Sequence, residues 1–130
     1  MDGRRDDSGR GGAWSGGEAP IDLAHLARQT FGSQALERAV LDLFAHQARD
    51  LVAAIARTEG AERAAGLHRL KGSARGVGAG RIADLAEALE APGLGEGERR
   101  DLIAALVAAE TEARAFVQRF VATAGGAAAT

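Results

Sequence analysis

A chain of 130 residues, 46% hydrophobic and 26% charged, has the makings of one folded domain around one core. Its apolar fraction is rich in alanine and only 4% of the chain is aromatic, which favours closely packed helices over a sheet. A formal net charge of −2 gives no ground to expect nucleic acid as a partner, and the absence of cysteine excludes disulfides and thiolate chemistry.

No apolar run approaches the ~20 residues that cross a bilayer, and the basic pair Arg4-Arg5 is not followed by the apolar segment of a signal peptide. The expectation is therefore a cytoplasmic chain with no membrane partner. Residues 1–18 are dominated by Gly, Asp, Arg and Ser, and read as a flexible tail in which Trp14 is the one large apolar side chain. Asp22, after Pro20-Ile21, is a candidate N-cap for a short helix reaching about Thr30, and Gly32-Ser33 breaks and recaps the chain.

From Gln34 to about Thr58, Leu36, Val40, Leu43, Phe44, Leu51 and Ile55 recur at helical steps and predict one long helix with these residues turned inward. A further helix is predicted over 61–77, burying Ala64, Leu67, Leu70, Ala74 and Val77, with Gly78 and Gly80 marking a turn. The next spans roughly 80–90 around Ile82, Leu85, Ala86 and Leu89, and Pro92-Gly93 stops it. The last, about 96–123, presents Leu102, Leu106, Ala109, Ala113, Phe116 and Phe120, and residues 124–130 read as a frayed end. With no period-two alternation, the fold class is all-α: an antiparallel up-and-down four-helix bundle over 19–123, preceded by a short additional helix.

The chemistry-bearing stretch is Leu67-His68-Arg69-Leu70-Lys71-Gly72-Ser73-Ala74-Arg75-Gly76-Val77-Gly78-Ala79. At 100° per residue His68 lies roughly 120° from the core direction of its helix, and Lys71, Gly72 and Arg75 fall on its side. Neutral imidazole is a nucleophile near pH 7, and nearby cations stabilise a phosphoryl group carried on it. A mid-helix glycine costs ~1 kcal/mol against alanine, a loss that is understandable where a side chain would obstruct a partner. An exposed histidine by itself is usually only a solvated residue, and His25 and His46 are read that way. Gly72 has a second reading, as a point of close helix packing.

His68-Arg69-Leu70-Lys71-Gly72-Ser73, followed by Val77-Gly78-Ala79, resembles the signature of the histidine-containing phosphotransfer (HPt) family. The similarity continues through Ile82, Leu85, Leu89 and Glu90, and upstream to Leu43-Phe44 and Ile21-Asp22-Leu23. The resemblance implies that His68 is the phosphorylated residue, that Lys71 lies near the phosphoryl group and that Gly72 leaves the partner room. It further implies that Gly78 closes the turn into the next helix and that Glu90 hydrogen-bonds and orients the histidine ring. Arg75 and Gly76 depart from the small or polar residues more usual there, and Arg75 adds positive charge suited to an acidic receiver surface.

The same resemblance implies a phosphoryl carrier, not an autonomous enzyme, relaying the group from aspartate to histidine to aspartate. Its partners would be response-regulator receiver domains or a hybrid histidine kinase. It would hold no cofactor of its own, Mg²⁺ belonging to the receiver. The chain itself is expected to be a monomer. The alternative is an adaptor with the same shape that binds partners without being phosphorylated. A di-iron bundle is disfavoured, because none of the three histidines sits in a Glu-x-x-His pair.

Overall fold

The computed structural model describes residues 19–129, with side chains to 123. Trp14 and the tail expected at 1–18 lie outside the described residues. Five helices follow one another: α1 (Leu23–Gln29), α2 (Gln34–Arg57), α3 (Gly60–Val77), α4 (Gly80–Leu89) and α5 (Glu96–Ala129). Among the described residues there is no strand. The fifth helix continues beyond the expected end at 123, through a run of alanines whose helix propensity outweighs the single break that Gly125-Gly126 would suggest.

The boundaries follow from local chemistry. The Asp22 carboxylate accepts from the His25 N–H and starts α1; the Ser33 hydroxyl accepts from the Leu36 N–H and starts α2. α3 ends where Gly78 adopts φ +84°, a left-handed cap. Short connections make the neighbours antiparallel. α2 packs on α3 and α5, α4 packs on α3 and α5, and α1 lies against α3, so the four long elements form a square bundle with α2 and α4 at opposite corners.

The core is built from Leu41, Phe44, Ala48, Val52 and Ile55 of α2, Leu67, Leu70, Ala74 and Val77 of α3, Ile82, Ala83, Ala86 and Leu89 of α4, and Leu106, Ala109, Ala113 and Val117 of α5. This corrects the expectation for α2. Leu36 and Leu43, assigned inward from their spacing, are exposed, and Val40 and Leu51 only flank the core. Two apolar stripes overlap on α2 about 100° apart, and the one containing the small residue Ala48 is the buried one. Ala64 of α3 is likewise exposed, and Leu85, Leu102, Phe116 and Phe120 are only partly covered.

One charged residue enters the interior. Glu110 is buried beside Arg114 one turn along α5, with Nη2 donating to Oε1 at 3.3 Å. Close packing also explains Gly66: a Cβ there would stand 3.2 Å from Ile55 Cγ1, so α2 and α3 approach through it.

Candidate functional site

α3 turns three successive residues of one surface row, His68, Gly72 and Gly76, toward solvent. The His68 side chain is 80% exposed. A Cβ built on Gly72 or Gly76 meets nothing within 4 Å, so neither glycine is required by packing within the chain. The second reading of Gly72, as a helix packing point, is thereby removed. Beside the imidazole the helix surface is a bare trough, since two consecutive positions along the row carry no side chain.

The flanks of the trough differ. On the side of α4 two ion pairs cross from α3: Lys71 Nζ donates to Glu90 Oε1 at 2.5 Å, and Arg75 pairs with Glu87. The first is largely covered, with the Lys71 side chain 20% exposed, whereas the second is open to water. On the side of α2, the Ser73 hydroxyl donates to Gln47 Oε1 at 3.4 Å. At the end of the row α1 closes in: the His25 ring donates through Nε2 to the Gly76 carbonyl at 3.2 Å, and the Asp22 N–H donates to the Gly78 carbonyl at 2.9 Å.

Glu90 caps the C-terminal end of α4, which brings its carboxylate across to the ring. Its second oxygen, Oε2, is 4.0 Å from His68 Nδ1, beyond hydrogen-bonding distance. The expected carboxylate–ring hydrogen bond is thus not made in this state. The carboxylate stands on the Nδ1 side but is engaged by Lys71. Lys71 and Arg75 both fall on the flank facing α4, as their spacing from His68 requires, and each is already paired with a glutamate.

His25 has a structural task, fastening α1 to α3. His46 is exposed on α2, with Nδ1 donating to the Asp42 carbonyl at 2.9 Å. Neither has the glycine trough or the lysine that accompany His68. Among the described residues no group of three His, Asp or Glu side chains is gathered as a metal site would need, and no helix is long and apolar enough to cross a membrane.

Sequence reasoning missed the outward apolar face of α2. Leu43, 66% exposed, stands one turn from Gln47 on the same face, and Leu36 two turns further back. A signal was present: Gln47 continues the row of Leu36, Val40 and Leu43, and a polar residue in that row marks it as the outer stripe. Phe31 is a second omission. It lies in the turn between α1 and α2 at φ +54°, 93% exposed, and nothing in its sequence setting announces this.

The four-helix bundle lifts the exposed His68 from the middle of α3, with Lys71 and the Glu90 carboxylate beside it. The Hpt domain family model matches residues 39–123, well over half of the chain, and the chain belongs to that family. Hpt domains are phosphocarriers of two-component signalling, and interact with receiver domains and kinases. No curated protein and no solved structure matches the chain.

Proposed function

We infer that this chain accepts a phosphoryl group on His68 Nε2 from the aspartyl phosphate of one receiver domain and returns it to the aspartate of another. The observation that carries the reading is the open imidazole of His68 above the bare surface of Gly72 and Gly76. With Nδ1 on the side of Glu90, the nitrogen left to meet a partner is Nε2. The ring's lone pair forms the N–P bond, the acyl-phosphate P–O bond breaks, and its electron pair stays on the receiver's carboxylate. The receiver supplies the Mg²⁺ and most of the transition-state stabilisation, so the chain is a carrier in place of an enzyme. Lys71 is the cation assigned to the phosphoryl oxygens. Arg75, paired with Glu87 at the rim, is assigned to the acidic surface of the partner.

Incubated with a phosphorylated receiver, the protein should acquire a phosphoryl group that is labile in acid and stable in alkali, since protonating the ring makes it a leaving group. An acid-stable label, or none with any receiver of the source organism, would favour the adaptor reading.

Gly72 offers a test of access. Alanine there should raise stability by about 0.5–1 kcal/mol, because space is open and alanine is the better helix former. Leucine there should leave the fold intact yet slow transfer at least about tenfold, equivalent to ~1.4 kcal/mol of barrier. Equal transfer rates in the parent and Gly72→Leu, measured by single-turnover labelling, would remove the trough from the docking site.

Leu43 of α2, one turn from Gln47, adjoins the trough through the Ser73–Gln47 contact, and is assigned to the same docking surface. Leu43→Glu should weaken receiver binding by roughly 1–2 kcal/mol while changing stability by no more than ~0.5 kcal/mol. Titration calorimetry against a receiver decides it; an unchanged Kd excludes Leu43 from the interface.

A further inference from the structure

The Lys71–Glu90 pair raises a difficulty for any carrier that needs Lys71 at its phosphoryl group. A lysine held at 2.5 Å by a carboxylate is already neutralised, and the same carboxylate repels an arriving dianion. The pair is also partly withdrawn from water, at 20% and 26% exposure, so this coupling is weakly screened compared with that of Arg75 and Glu87, whose side chains are more than half exposed. Meanwhile the second oxygen of Glu90 waits 4.0 Å from His68 Nδ1, about 1 Å too far for a hydrogen bond.

We propose that Glu90 is an exchanged counter-ion: it holds Lys71 while His68 is free, and passes to the His68 Nδ1–H as the phosphoryl group forms on Nε2, releasing Lys71 to the phosphoryl oxygens. This deepens the carrier reading and rests on it. The charges favour such an exchange. The nucleophile in the transfer is the uncharged form of the ring, and Lys71 and Glu90 offset each other beside it. When Nε2 forms its bond to phosphorus and the donor's bond breaks, the ring keeps its Nδ1 proton and becomes cationic, next to a phosphoryl dianion. Two cations and two anionic groups then sit together, and the lowest-energy pairing sets Lys71 against the phosphoryl oxygens and Glu90 against Nδ1–H.

The geometry permits it with little motion. Glu90 closes α4 as its C-cap, and Lys71 is three residues from His68 on the same helix. Closing a 4.0 Å separation to a hydrogen bond needs only a side-chain rotation. Glu90 is then a positioning residue with two successive partners: it keeps Lys71 folded against the bundle until a phosphoryl group draws it off, and it stabilises the cationic ring that must later act as leaving group.

The test uses the full chain, isotopically labelled, and phosphoramidate as donor. The P–N bond of phosphoramidate breaks, ammonia leaves, and the phosphoryl group bonds to Nε2 without any receiver. In the parent protein the Lys71 Nζ and Glu90 Cδ resonances should both shift on phosphorylation of His68. In Lys71→Met the Glu90 Cδ resonance should shift toward its phosphorylated-state position before any phosphoryl group is added. Glu90→Gln should slow transfer from phospho-His68 to a receiver about tenfold, with Glu90→Asp restoring most of the rate. Lys71 and Glu90 resonances that stay in place on phosphorylation would overturn the exchange and leave the carrier reading standing. A His68 ring that takes no phosphoryl group even from phosphoramidate would overturn both.

Discussion

Replacing His68 with glutamine is expected to abolish phosphoryl uptake from a phosphorylated receiver altogether, while helicity and thermal midpoint stay at parental values. Glutamine keeps approximately the reach of the side chain but offers an amide, which has no nucleophilic lone pair on nitrogen. The imidazole side chain is 80% exposed, so its loss should change stability by no more than ~0.5 kcal/mol. Circular dichroism and phosphate labelling on the same preparation separate the two effects. Labelling of the variant at the parental rate would move the site elsewhere, and His46, the other exposed ring, would be the next candidate.

The second large effect is on folding. Gly78 combines φ +84° with a tight approach from the chain entering α1: a Cβ there would stand 3.0 Å from the Asp22 carbonyl oxygen and 3.1 Å from Asp22 Cβ. The backbone of Asp22 is fixed, since its N–H donates to the Gly78 carbonyl and its carboxylate caps α1. Gly78→Ala therefore meets both a conformational penalty and backbone atoms that cannot yield without undoing α1. A loss of about 2–3 kcal/mol is expected, seen as a melting midpoint lower by roughly 10 °C. Gly76→Ala, whose Cβ meets nothing within 4 Å, is the control and should not lower the midpoint. Equal behaviour of the two variants would show that the turn does not anchor α1.

Much of the bundle was legible in the sequence. The caps Asp22 and Ser33, the stop at Gly78 and the break at Pro92-Gly93 are local signals, and each helix boundary lies within a residue of its expected place except the C-terminal end of α5. The side of α3 that carries His68 was also readable, because Leu67, Leu70, Ala74 and Val77 fix its inward direction without competition.

α2 was harder. It bears leucines on two faces, and the helix turns inward the face of Leu41, Phe44, Ala48, Val52 and Ile55 instead of the face with Leu36 and Leu43. In a core with Ala74, Ala83, Ala86, Ala109 and Ala113 also buried, helices meet at short range and small side chains mark contact as surely as large ones. A reading weighted toward bulk misjudges such a protein. The partners of Lys71 and Arg75 were likewise out of reach, since the register of α4 against α3 decides which glutamate faces which cation.

The crowd of glycines in α3 has a consequence for how the molecule moves. Gly66, Gly72 and Gly76 all lie inside one helix of 18 residues, and each withholds about 1 kcal/mol of intrinsic helicity relative to alanine. Cut from its neighbours, this segment would scarcely coil; it is kept in shape by the elements on either side. The stretch bearing His68 is thus a borrowed rod, and any slackening of α2 or α4 reaches it first.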